Sequence, residues 1–352
     1  MNILIVGNEL RYIHLKEFSD ELEKHQFNSK VIIDTEFIEK SLSLDLKSRI
    51  EFKKKREEVL HNFKPDLVVL DRISKLGEFF LDKKIPLFLL LRGNYWEELE
   101  WMKKTNVGSK IKSLSIYKNQ KIANRIFRES KVIIAISNYL KNEALKRYPE
   151  KNIDVIYADG RIISEWKKVG TQKLEHPCVG LIQGLSIWGK TRELKTLEKV
   201  LEKMPDVKFY FAGDGKYKED IIPNLQKYQN FIWLGNLEYP KKIMEMFSSI
   251  DVFLLLTGLE GLGQTIIEAM LMEKPVIATK IGGIPEIIKD SKTGFLVEPG
   301  DSDKIIFSIQ ELLRKPEIRH KIIKNALEDV QKFSWENIVN EFVSVIKKYE
   351  IK

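Results

Sequence analysis

Short apolar runs alternate with amphipathic segments along the whole chain. The runs Asn2–Val6, Lys30–Ile33, Leu67–Leu70, Leu87–Leu91, Val132–Ile136 and Asp154–Tyr157 predict six strands. They lack the polar alternation of a half-solvated strand, which suits a parallel sheet covered on both faces. Between them, His14–Lys24 and Asn138–Tyr148 carry helical periodicity. The segment 159–177 is polar and breaks the rhythm, so it is the candidate linker. A second series follows at Cys178–Ile182, Val207–Phe211, Phe231–Leu234, Val252–Leu256, Val276–Thr279 and Phe295–Val297. Alternating β and α elements predict two doubly wound α/β halves. Trp335–Tyr349 predicts a closing amphipathic helix, with Ile338, Phe342, Val345 and Ile346 on one face. The expected domains are 1–165, 166–332 and a C-terminal helix, 333–352, that could cap either domain, including by packing back on the N-terminal one.

Composition narrows the class. The chain has 352 residues, 43% hydrophobic and 31% charged, which excludes a disordered chain and favours two domains. No apolar run reaches the roughly 20 residues of a membrane helix. The first residues, Met1–Gly7, read as a strand rather than a secretion signal, and the single cysteine, Cys178, forbids an internal disulfide. A cytoplasmic location is the expectation. The formal charge is +8, with nine Lys or Arg and one acid between residues 101 and 131. That stretch interleaves Lys110, Lys112, Lys118, Lys121, Arg125 and Arg128 with Ile111, Leu114, Tyr117 and Phe127. It is either a solvated helix face or a surface for anionic lipid.

The candidate chemistry lies in Thr257–Met270. An apolar run ends, a glycine-rich turn follows, and a helix begins, with Glu260 and Glu268 bracketing the turn. Open α/β sheets bind ligands beyond the carboxyl ends of their strands. Gly261 and Gly263 allow close backbone approach, and the helix start offers N–H groups to a phosphate. At about 1.5 Å per residue, Glu268 lies about 7 Å along the helix, roughly the distance from a diphosphate to a ribose. Its carboxylate can accept two hydrogen bonds from a vicinal diol. Glu260 can do the same for hexose hydroxyls.

This turn, with Glu273–Thr279, Gly282–Glu286 and Thr293–Val297, resembles the C-terminal domain of family 4 glycosyltransferases. These are retaining enzymes of the GT-B fold, with two Rossmann-like doubly wound domains and a deep cleft between them. The resemblance is specific over 251–303 and continues more weakly from Cys178 to the end. It implies that Glu260 contacts the donor sugar, Glu268 the ribose, and the Gly261, Leu262, Gly263 and Gln264 amides the sugar and diphosphate. It implies a nucleoside diphosphate sugar as donor substrate, no metal or other cofactor, and a glycan or lipid-linked acceptor.

The segment Gln183–Lys190, opening with the Gly184 turn, resembles the family stretch that places an arginine and a lysine on the diphosphate. Lys190 matches the lysine. Leu185 stands at the arginine position, so Lys190 either works with another cation such as Arg192 or gives weaker help to the leaving group. Asn236 and Leu237 fall where the family holds the base. Gly7 and Asn8 form either a ligand-facing turn or a plain βα turn. Many relatives carry a histidine after the fourth strand, where this chain has Arg92; none of its five histidines falls there. Arg92 either binds an acidic acceptor or makes a structural ion pair. Ser137 reads as a helix cap, and so does Asp301, although Asp301–Asp303 superficially resembles a metal-binding acid pair. No metal cluster is evident.

The leading expectation is a retaining hexosyltransferase. The alternatives are a sugar-nucleotide epimerase of related fold, which needs acid–base groups around the sugar carbon, and a charge-driven nucleic-acid or membrane module. No nucleic-acid-binding pattern supports the last.

Overall fold

The computed structural model describes residues 1–38, 46–105, 110–158 and 160–351. Of the residues singled out above, the side chains of Lys110, Ile111 and Lys112, and the linker's first residue, Asp159, lie outside the described set. So do residues 106–109 of the basic stretch.

The apolar runs become twelve strands. The first six are β1 (Asn2–Gly7), β2 (Asn28–Ile33), β3 (Leu67–Asp71), β4 (Leu87–Leu91), β5 (Val132–Ala135) and β6 (Ile153–Val155). They form one parallel sheet in the order β2-β1-β3-β4-β5-β6. β3, β4 and β5 are buried throughout, as their continuous apolar runs require. The second six are β7 (Cys178–Ile182), β8 (Lys208–Ala212), β9 (Phe231–Gly235), β10 (Val252–Leu255), β11 (Val276–Thr279) and β12 (Phe295–Val297). Their order is β12-β11-β10-β7-β8-β9, again parallel.

The crossovers carry α1 (Tyr12–Lys24), α2 (Leu46–Phe63), α3 (Leu76–Asp82), α4 (Tyr95–Thr105), α5 (Lys110–Glu129) and α6 (Asn138–Leu145). In the later half they carry α7 (Trp188–Thr191), α8 (Leu197–Lys203), α9 (Ile222–Leu225), α10 (Lys241–Ser249), α11 (Gln264–Leu271), α12 (Ile284–Ile287), α13 (Ser302–Arg314) and α14 (Pro316–Val330). The chain closes with α15 (Trp335–Lys348). Ser137 caps α6, accepting from Leu140 N at 3.2 Å, and Asp301 caps α13, accepting from Lys304 N at 2.9 Å.

Two units emerge. The first comprises 1–92, 106–162 and 333–352, and the second comprises 93–105 and 163–332. α15 therefore belongs with the first unit. Trp335 and Phe342 pack on Phe18 of α1 at 5.5 and 5.2 Å between ring centres, and Trp335 Nε1 donates to Glu17 at 2.7 Å. α4 groups with the second unit, a departure from the expected boundary. Its Trp101 fills the space over Gly189, where a Cβ would sit 2.7 Å from the indole. The indole also takes the Arg192 guanidinium on its face, 5.1 Å from the ring centre.

The segment entering the second unit is laced down by its own backbone. Val169 N donates to Ser248 Oγ at 3.2 Å, Gln172 N to Ser249 Oγ at 2.6 Å, and Glu175 N to the Tyr210 hydroxyl at 2.9 Å. It is a polar strap along the unit rather than a bare linker.

Candidate functional site

Strand order locates the site in the second unit. The chain runs β7, β8, β9 outward to one side, then returns to lay β10, β11 and β12 on the other. The order reverses between β7 and β10, whose carboxyl ends form the crevice where such sheets take ligands. The segments after these two strands hold the residues singled out in the sequence.

The turn after β10 is fixed from below. Thr279 Oγ1 accepts from Thr257 N at 2.9 Å and donates to Leu255 O at 3.1 Å, tying the ends of β10 and β11 together. Thr257 Oγ1 donates to Leu259 O at 2.9 Å. Gly283 N donates to Glu260 O at 3.3 Å, and a Cβ on Gly283 would lie 2.1 Å from Gly261 O. Only glycine permits that approach. Gly263 has φ +107° and caps α11, whose first residue is Gln264. Leu259 and Leu262 anchor the turn in the core, at 2% and 1% exposure.

Glu260 meets Lys190 here. Lys190 Nζ lies 3.1 Å from Oε1 and 3.0 Å from Oε2, and Gly261 N donates to Oε1 at 3.0 Å. Lys190 sits on α7, just after β7, and Gly258 N donates to Lys190 O at 3.3 Å. The two loops at the crevice are thus joined by both backbone and side chain. The ammonium keeps a third donor beyond the two that Glu260 takes.

Glu268 is 3% exposed within α11, a helix buried on nearly all sides. The Tyr239 hydroxyl donates to its Oε1 at 3.1 Å, and Trp166 packs on the Tyr239 ring at 6.1 Å between centres. Gly184 faces open space, with no atom within 4 Å of where its Cβ would be. Asn236 is exposed and Leu237 half-buried after β9, beyond Gly235. Gln183, at the end of β7, has both side-chain amide atoms buried without a hydrogen-bond partner among the described residues. Such orphaned groups call for an explanation, and a ligand's polar atoms at this edge would supply one.

The structure bears on several alternatives left open by the sequence. Leu185 is fully buried in the second unit's core. Arg192 is exposed and stacks on Trp101, with its guanidinium also against Gly258 of the turn, where a Cβ would lie 3.1 Å from Nε. Arg92 is 7% exposed; it pairs with Asp71, donates to Ala158 O at 2.7 Å, and is the structural ion pair. Gly7 packs on Leu15, where a Cβ would lie 2.2 Å away, and Asn8 Oδ1 accepts from Arg11 N at 3.1 Å. Gly7 and Asn8 make a plain βα turn with a cap. His176, Cys178 and Asp251 come together although no metal-type cluster is evident in the sequence. Tyr239 and Trp101 also escape sequence reasoning, since no local motif marks an aromatic that supports a residue 29 or 88 positions away.

Residues 189–329 match the family model for group 1 glycosyl transferases. The chain is 36% identical over 150 residues to sulfoquinovosyl transferase SQD2 of Arabidopsis thaliana, covering 42% of this chain and 29% of that protein. Against two further curated relatives it spans 60% and 59% of their length. Among solved structures, sucrose-phosphate synthase from Thermosynechococcus elongatus superposes with a TM-score of 0.77 at 17% identity, over 99% of this chain and 98% of that one. Anabaena Alr3699/HepE in complex with UDP-glucose gives 0.72 at 20% identity, over 99% and 100%. At those identities the likeness establishes the fold, which is GT-B.

Proposed function

We propose that this protein is a retaining glycosyltransferase that moves a hexose from a nucleoside diphosphate sugar to an acceptor hydroxyl, a reading supported by the match of residues 189–329 to the group 1 glycosyl transferase model. The observation that carries the reading is the Lys190–Glu260 pair at the point where the strand order reverses, beside the glycine-capped start of α11. A cation, a helix start and a carboxylate at one crevice match a diphosphate joined to a sugar. The UDP-glucose complex of HepE is consistent with a donor of this kind.

In this reading the α11 amides and Lys190 hold the diphosphate, Glu260 the sugar hydroxyls and Glu268 the ribose. Asn236, Leu237 and Gly184 lie at the base and phosphate edges. The bond from the anomeric carbon to the β-phosphate oxygen breaks, and the acceptor oxygen bonds that carbon on the same face. The acceptor's proton passes to the departing diphosphate. Lys190 offsets the charge that develops there, the role a preorganised cation serves best, and the reaction needs no metal.

The acceptor is a glycan or a lipid-linked saccharide, and the protein works at the cytoplasmic face of a membrane. On α5, Leu114, Tyr117, Lys118 and Lys121 are exposed at spacings of three, four and seven, so two apolar and two basic side chains share one face. Among the described residues no helix is long and apolar enough to cross a bilayer, and this face is the proposed contact. Flotation with anionic vesicles, lost at high salt and in Leu114→Glu/Tyr117→Glu, checks it.

The central test is a thermal-shift screen of UDP-, GDP- and ADP-sugars. A donor at about 100 times its Kd stabilises by about 2.7 kcal/mol, which is several degrees for a unit of this size. The expected result is one nucleotide class raising the Tm and supporting transfer with retained anomeric configuration. No shift with any of them, or an inverted product, sinks the proposal.

A further inference from the structure

The opposite edge of the second sheet carries a different chemistry. β7 and β10 pair in parallel, with Val252 against Val179, so Asp251, just before β10, lies beside Cys178, the first residue of β7. Asp251 N donates to Cys178 O at 3.2 Å, and Cys178 N donates back to Asp251 Oδ2 at 2.8 Å. His176, two residues before Cys178, brings its Nδ1 to 2.8 Å from Asp251 Oδ2 and 3.5 Å from Cys178 Sγ. One ligand atom from each residue lies within 4.8 Å of the other two. This edge is the amino-terminal one, so Glu260 and Glu268, beyond the carboxyl end of β10, are at the far side of the sheet.

We propose that His176, Cys178 and Asp251 form a structural site for a soft-to-borderline divalent cation, of which zinc is the best fit. Tetrahedral zinc, with Zn–N and Zn–O near 2.1 Å and Zn–S near 2.3 Å, sets ligand–ligand edges of about 3.4–3.6 Å. The Sγ–Nδ1 separation already has that length. The Nδ1–Oδ2 contact must open by about 0.6 Å, which the exposed imidazole provides by rotating. Nitrogen, thiolate and carboxylate together select zinc-like ions over calcium or magnesium, which prefer oxygen alone.

The surroundings agree with a three-ligand site. Cys178 is fully buried while the His176 side chain is 51% exposed, so the sulfur is shielded and one side stays open to water as the fourth ligand. His176 and Asp251 also line a surface pocket with Met204 and Asp206. Asp251 is held in place by the Cys178 amide, the kind of outer hydrogen bond that orients a ligand. Binding releases the thiol proton to solvent. The half-buried Lys274 lies close enough to act on Cys178 and Asp251 and is the positive charge a dication must overcome. The ion would pin the strap that enters the unit to Asp251, the residue just before β10, raising stability without touching the donor site.

The test uses the full-length protein stripped with chelator. Calorimetry with zinc should show one equivalent bound, and cobalt should give a thiolate-to-metal charge-transfer band. Cys178→Ser should abolish that band. His176→Ala, at an exposed position that cannot compromise folding through burial, should weaken zinc binding by at least about tenfold. Zinc should raise the Tm of the wild type and not of either variant, while donor binding stays the same with and without the ion. Absence of stoichiometric binding, or binding that both variants keep, overturns the site. Donor transfer lost with intact zinc binding would instead count against the glycosyltransferase reading, so the two fail separately.

Discussion

Lys190 Nζ lies 3.0 Å from Glu260 Oε2, joining loops 70 residues apart at the end of the second sheet. In the proposed function the pair has two consequences. It would place a cation where a leaving diphosphate gathers charge, and it would hold the carboxylate that is to receive sugar hydroxyls. Lys190→Ala is expected to lower kcat by about 10²–10³, the usual loss when one preorganised donor to a developing anion is removed, with a smaller change in donor KM. Steady-state kinetics with the identified donor check this. A variant whose KM alone rises would make Lys190 a ground-state binder only.

Tyr239 supports Glu268 and can be tested without touching the nucleotide itself. Its hydroxyl donates to Oε1 at 3.1 Å, on a carboxylate almost removed from solvent. Tyr239→Phe is expected to weaken nucleoside diphosphate binding by up to about tenfold, roughly 1.4 kcal/mol, and Glu268→Ala by more. Calorimetry on both variants checks the order. Unchanged affinity in both would remove Glu268 from the ribose.

Much of this was legible because parallel strands buried on both faces read as continuous apolar runs, and each of the twelve runs became a strand. The turn was legible too. A strand end, two glycines and two glutamates at fixed spacing leave few conformations, and Gly263 adopts the positive φ its position requires. What escaped was set by contacts distant in sequence. Trp101 belongs with the second unit because Gly189 and Arg192 receive its indole, and nothing near residue 101 announces that. Arg92 follows β4 as a ligand-binding residue would, yet Asp71 at the end of the neighbouring strand neutralises it. His176 and Asp251 are 75 residues apart and meet only because β7 and β10 are adjacent. Alternation of hydrophobicity identifies strands, but not which strands become neighbours.

Asp71 and Arg92 bear on stability. Both are buried, at 4% and 7% exposure, and Arg11 Nε approaches the other carboxylate oxygen at 4.0 Å. Removing one partner leaves a buried charge, so Asp71→Ala is expected to cost about 3–5 kcal/mol, a Tm loss of roughly 6–20 °C. Asp71→Leu/Arg92→Met, which replaces both charges, should recover a large part of it. Denaturation of the three proteins measures this. A mild Asp71→Ala would mean that water or Arg11 compensates.

Glu17 couples the closing helix to pH. Its carboxylate accepts from Trp335 Nε1 of α15 at 2.7 Å. Burial raises its pKa above the ordinary carboxylate range, against the opposing pull of the Trp335 hydrogen bond and of Arg161 and Arg11. With the folded pKa above the unfolded one, the native state holds its proton to higher pH than the unfolded chain. The stability Glu17 contributes is therefore complete below the unfolded pKa and is lost as pH rises through the folded value. Glu17→Gln keeps an acceptor for Trp335 and removes the buried charge. It should be more stable than the wild type near pH 7, and the advantage should shrink as the pH falls into the carboxylate range. Urea midpoints from about pH 7 to about pH 4 measure the gap. A gap that widens on acidification would show that Arg161 and Arg11 outweigh burial and hold the carboxylate ionised.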